Sequence, residues 1–133
     1  MKSAQVDLVQ QSWKKIMPNR AAFAARFYTT LFERDPTLRK LFKNDMRAQQ
    51  THFLTAMGIA IAGLKELHDI APYLQQLGDR HGLYGVKKAD FVSFTSAFFD
   101  TLSHELGATL TDEERLAWAD AFRTIVTAMQ VPA

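Results

Sequence analysis

Residues 71–86 read Ala71-Pro72-Tyr73-Leu74-Gln75-Gln76-Leu77-Gly78-Asp79-Arg80-His81-Gly82-Leu83-Tyr84-Gly85-Val86. Pro72 suits the first turn of a helix, where its missing N–H is not needed, and Leu74, Leu77 and His81 follow at i, i+3 and i+7. The spacing predicts a short helix from Ala71 to His81, ending in the Gly82 to Gly85 loop because glycine tolerates the left-handed backbone of a helix C-terminus. This helix points an imidazole where it points its leucines. A buried polar group needs a partner, and two readings are open: a core histidine bonded to a carbonyl, or a ligand to something bound.

The same helical period runs outward in both directions, and no stretch alternates apolar with polar over strand length, so the fold class is all-α. Upstream, Val6, Val9, Trp13 and Ile16 share one face before Pro18-Asn19, with Asn19 placed to cap the next segment. Arg20 to Glu33 carries Phe23, Phe27 and Leu31, and Asp35-Pro36 announces a third, short helix through Leu38, Leu41 and Phe42. After Lys43-Asn44-Asp45, a long segment to about Leu64 shows Phe53, Met57 and Ile61 on one stripe, followed by a looser stretch from Lys65 to Ile70. Downstream, Lys88 to Leu106 presents Phe91, Phe94, Phe98 and Leu102 and closes at Gly107. Thr111 and Glu114 then have capping-box spacing for a final helix with Leu116, Phe122, Ile125 and Met129.

Length and composition narrow the class further. The 133 residues suit a single domain over 1–133, and 16 Lys+Arg against 14 Asp+Glu, a net charge of +2, give no reason to expect a nucleic-acid partner. The absence of cysteine excludes disulfides, thiolate-held metals, covalent haem attachment through Cys and a cysteine nucleophile. Polar and acidic residues occupy the N-terminus, and the longest apolar run, Phe53 to Leu64, is too short to span a bilayer; a cytoplasmic, membrane-free protein is expected. No P-loop, HExxH, GxSxG or GxGxxG occurs, and Glu113-Glu114 is better explained by capping than by acid–base work.

Three further polar residues fall on faces that packing alone would make apolar. Gln49 heads the Phe53, Met57 and Leu64 stripe, Tyr28 sits beside the Phe27 and Leu31 ridge, and His52 lies one turn after Gln49. Alone, Gln49 reads as an exposed first-turn residue and Tyr28 as a core aromatic. His68 and His104 lie among charged or loop residues and are expected to be solvated.

The order of landmarks, Phe27-Tyr28-Thr29-Thr30-Leu31-Phe32, then Asp35-Pro36, Leu41-Phe42, Gln49 and Arg80-His81-Gly82-Leu83-Tyr84-Gly85-Val86, resembles that of the globins. The likeness is greatest to single-domain bacterial globins related to flavohaemoglobin haem domains, and extends more distantly to neuroglobins. It covers essentially the whole chain. The resemblance implies non-covalent haem b, with His81 as the axial iron ligand and Phe42, Phe53, Tyr84 and Val86 against the cofactor. It places Tyr28 and Gln49 on the distal side facing bound O2, NO or CO, with His52 as the alternative distal residue and internal sixth ligand if the fourth helix is registered differently.

The implied function is reversible O2 binding or storage by a monomer, or NO detoxification with a separate reductase as electron donor. The alternative is a six-coordinate globin in electron transfer or sensing. Flavohaemoglobins carry a tyrosine ten residues after the axial histidine and a glutamate near the end of the last helix; here Phe91 and about Ala133 stand there, so the peroxidase-like electronic push is not expected.

Overall fold

In the computed structural model, which describes residues 1–42, 45–83 and 85–130, the apolar stripes become α1 (Ser3–Ile16), α2 (Arg20–Arg34), α3 (Met46–Ala62), α4 (Leu67–Leu83), α5 (Asp90–Leu106) and α6 (Asp112–Met129). Short 3-10 segments cover Met17–Asn19, Pro36–Leu41, Leu64–Glu66 and Gly107–Thr109. No strand occurs among the described residues. α2 lies against α5 and α3, while α1 and α4 both pack on α6. Phe23, Phe27 and Phe98 fill the centre, and Trp118 packs against Trp13 and Phe98 with ring centroids 6.4 and 5.2 Å away.

The final helix starts as its sequence predicts. Thr111 accepts from the Glu114 N–H at 3.1 Å, and the Glu114 carboxylate accepts from the Thr111 N–H at 3.1 Å. The same carboxylate also accepts from the Ser12 hydroxyl of α1, so one cap joins the first helix to the last. Burial pushes the Glu114 carboxyl up, but hydrogen bonds from Ser12 and Thr111 outweigh it and hold the group below its ordinary value.

Several local expectations are corrected. α4 begins at Leu67 rather than at Ala71-Pro72, and the stretch before it is a 3-10 turn rather than a loose segment. Leu67 and Ile70 continue the stripe of Leu74 and Leu77 and pack against the core, and Asp69 sits in the first turn where the helix dipole favours it. Pro72 removes only one early backbone bond, a cost that this burial offsets. At the other end α4 runs on to Leu83. Gly85, at φ 84°, turns the chain, and the Val86 N–H donates to the His81 carbonyl at 2.9 Å.

Asn19 does not cap α2; its amide donates to Glu105 at 3.1 Å, because the preceding 3-10 turn already leads into the helix. Asp35 likewise caps nothing. Its carboxylate accepts from the Thr37 and Ser93 hydroxyls, tying the Pro36–Leu41 segment to α5. Phe42 lies just beyond that segment, and Asp45, at the end of the polar turn, starts α3 by accepting from the Arg47 N–H at 3.1 Å.

Candidate functional site

On α4 the His81 ring is half-buried, with Nδ1 2.6 Å from the Leu77 carbonyl oxygen one turn back. A carbonyl only accepts, so it fixes the tautomer: Nδ1–H donates and Nε2 keeps its lone pair. Burial lowers the imidazole's pKa, and the bond to Leu77 opposes this only in part, so the ring is neutral near pH 7. Phe91 of α5 flanks the ring at 5.8 Å between centroids. The carbonyl-bonded and ligand readings of His81 are therefore compatible, since the bond occupies one nitrogen and leaves the other.

A second cluster gathers on α2 and α3. Tyr28 is buried, its ring set among Phe27, Phe42 and Phe53 at 5.0, 5.5 and 5.7 Å. Gln49 is half-buried, and its Nε2 donates to the Tyr28 hydroxyl oxygen at 3.1 Å. Burial pushes the phenol up to about 12, against the opposing pull of the Gln49 amide, so the hydroxyl stays protonated. Because the amide donates, the phenol hydrogen remains for another acceptor. Phe53 stacks on Phe27 at 4.6 Å, almost parallel, and half-buried Phe42 also touches Phe32 at 5.4 Å.

The two clusters are joined through rings: Phe53 to Phe94 at 6.0 Å, Phe94 to Phe91 at 5.8 Å, then Phe91 to His81. The segments bearing Phe42 and Val86 also approach each other, for a Cβ at Gly85 would lie 3.8 Å from the Leu41 side chain. Val86 is half-buried beside this turn.

Of the residues singled out from the sequence, Tyr28, Gln49, Phe42 and Phe53 come together in one cluster, and His81, with Val86 in the turn after it, belongs to the other. His52 is exposed and Gln49, rather than His52, meets Tyr28. Tyr84 lies outside the described residues. His68 and His104 are exposed as expected.

Two contributors were not anticipated. Phe91 entered as one of the apolar stripe of its helix and as a residue standing where some relatives have tyrosine, yet it is the ring against His81. Gly78, one turn before His81, is where α4 meets α6: a Cβ there would stand 1.8 Å from the Met129 carbonyl oxygen. The only signal for Gly78 was a glycine inside an otherwise good helix.

Comparison with known proteins bears on the fold that carries these residues. Neuroglobins of Tetraodon nigroviridis and Danio rerio are 24% and 26% identical, covering 97% and 92% of this chain and 90% and 86% of theirs. Among solved structures, the myoglobin of Aplysia limacina superposes with a TM-score of 0.87 at 21% identity, over 98% of this chain and 97% of its own. The hexa-coordinate haemoglobin of Drosophila melanogaster gives 0.86 at 17% identity over 97% and 93%, and an engineered carbene transferase of Rhodothermus marinus gives 0.85 at 20% over 97% and 90%. At such identities the structural likeness speaks to the fold. Residues 25–129, from the aromatic ridge of α2 to the last turn of α6, match the Globin family profile, and with that match the chain belongs to the globin family.

Proposed function

We propose that this chain holds haem b through His81 Nε2 and reversibly binds O2, with NO and CO as further ligands, on the side of Tyr28 and Gln49. The observation that carries the reading is the state of His81: neutral, half-buried and turned by the Leu77 carbonyl so that one lone pair is free. The surrounding surface fits the cofactor. Phe42, Leu77, Phe91 and Val86 are each left half-buried by the protein alone, offering apolar area to a flat, greasy partner. When bound, ferrous haem would supply an iron able to take diatomic gases.

The chain's own groups then act on the ligand by ordinary electrostatics. The protonated Tyr28 hydroxyl donates to a ligand atom that carries partial negative charge, a bond of roughly 1–3 kcal/mol in a dry site. Gln49, by donating to the phenol oxygen, holds that ring in place and strengthens its O–H as a donor. Phe42, Phe53, Tyr84 and Val86 serve to exclude water around the cofactor.

The exposure of His52 supports an open rather than an internally ligated distal side. The role is O2 binding and storage by a cytoplasmic monomer, or NO removal when a separate reductase supplies electrons; the parent of the Rhodothermus marinus structure is named as a candidate nitric oxide dioxygenase.

The visible spectrum of the purified protein tests the reading. One broad band in the deoxygenated ferrous state, replaced by sharp bands under CO or O2, is expected. A colourless protein that takes up no added haemin overturns the cofactor, and two sharp bands before any gas is added overturn the open distal side.

A further inference from the structure

Phe91, whose ring lies 5.8 Å from that of His81, also helps form a groove between α5 and α6. It is a shallow, open groove of about 430 Å3, and Phe91, Val92, Phe122 and Val126 supply its apolar surface. Val92 is 70% exposed, the most exposed large apolar side chain among the described residues. Two cations line the groove, Lys88 in the turn just before α5 and Arg123 on α6, and no carboxylate does. Arg123 is held 3.1 Å from Asp120, whereas Lys88 enters no ion pair among the described residues.

These features choose between occupants. A second copy of the chain covering this face would bury Lys88 with no carboxylate in the groove to receive it, since Asp120 already holds Arg123. A neutral apolar molecule would leave the cations unused. An anion with an alkyl tail satisfies both parts.

We propose that the groove between α5 and α6 binds an amphipathic monocarboxylate of the fatty-acid type, its chain over Phe91, Val92 and Phe122 and its carboxylate on Lys88. Binding at this groove stands on its own. A second consequence rests on the haem reading: Phe91 lines the groove and lies against His81, so a ligand that shifts Phe91 changes the packing of the imidazole that would hold the iron.

Calorimetric titration with decanoate, below its micellar concentration, tests the site, with decanol and decyltrimethylammonium as controls. One decanoate per chain is expected, bound at least tenfold more tightly than the ammonium amphiphile. Lys88→Glu and Val92→Asp, both at surface positions, should each weaken decanoate at least tenfold with unchanged thermal melting. Equal affinity for the three amphiphiles, or full decanoate binding by Lys88→Glu, overturns the proposal. So does sedimentation showing a dimer that Val92→Asp dissociates, because the face then belongs to a second copy.

For the link to His81, the iron–histidine stretching band of the deoxygenated haem protein should shift on adding decanoate and stay fixed on adding decanol. Binding without a shift removes the link and leaves the site. A protein that takes up no haem removes the haem reading, and the decanoate titration still decides the groove.

Discussion

Replacing Gly78 by alanine should do far more damage than its single methyl suggests. The added Cβ would stand 1.8 Å from the Met129 carbonyl oxygen and 2.7 Å from the carbonyl carbon, and both are backbone atoms of a packed helix rather than the tip of a mobile side chain. Restoring an ordinary contact of 3.4 Å asks α4 and α6 to part by about 1.6 Å at this point. Overpacking a core costs about 1–3 kcal/mol when side chains can give way, and here they cannot, so a loss of about 3 kcal/mol is the expected scale. With an unfolding entropy of roughly 2 cal/mol/K per residue, that corresponds to a melting temperature lowered by about 10 °C.

Gly58 provides the internal control. It lies inside α3 with nothing within 4 Å of its would-be Cβ, so Gly58→Ala should raise stability by about 0.5–1 kcal/mol through helix propensity alone. Denaturant and thermal unfolding of the two variants side by side, together with haemin titration, is the assay. Gly78→Ala should also loosen haem, because His81 lies one turn further along the displaced helix. A Gly78→Ala protein that melts within a degree of the parent, or that gains stability as Gly58→Ala does, would refute the close approach of α4 to α6.

Tyr28→Phe should speed O2 release at least tenfold in stopped-flow or flash-photolysis measurements while CO release changes little, because only the ligand with appreciable negative charge loses a donor; an unchanged O2 off-rate removes the phenol from the mechanism. His81→Gly should lose haem affinity and regain it with millimolar imidazole, whereas tight haem binding without imidazole would reassign the iron ligand. Glu114, whose carboxyl is held below its ordinary value in the fold, contributes stability that is complete above its unfolded-state value and is lost as pH falls through the folded one. Ser12→Ala, which removes one of its donors, should cost on the order of 1–2 kcal/mol at neutral pH and flatten the decline in stability below the ordinary carboxylate range; identical acid profiles would dismiss the Ser12 bond.

The readable parts of this chain are those governed by neighbours a few residues away. Val6 to Ile16, Phe23 to Leu31 and the Thr111–Glu114 box declare helices because stripe and cap are local properties, and Gly85 declares its turn for the same reason. Pro72 misled because propensity is weighed against burial, and Leu67 and Ile70 find a core that no local window contains. Tyr28 and Gln49 stood out individually as polar residues on apolar stripes, but their meeting at 3.1 Å depends on how α2 crosses α3. The role of Gly78 was hidden for a stricter reason. Its partner is a backbone atom of Met129, which carries no side-chain signature at all.

That same seating has a temporal side. α4 can coil as soon as it is made, but the surface it rests on is completed only when Met129 has been added, after every other helix of the fold. A chain in which α6 has not yet formed therefore leaves the turn of α4 before His81 without the backbone surface it rests on.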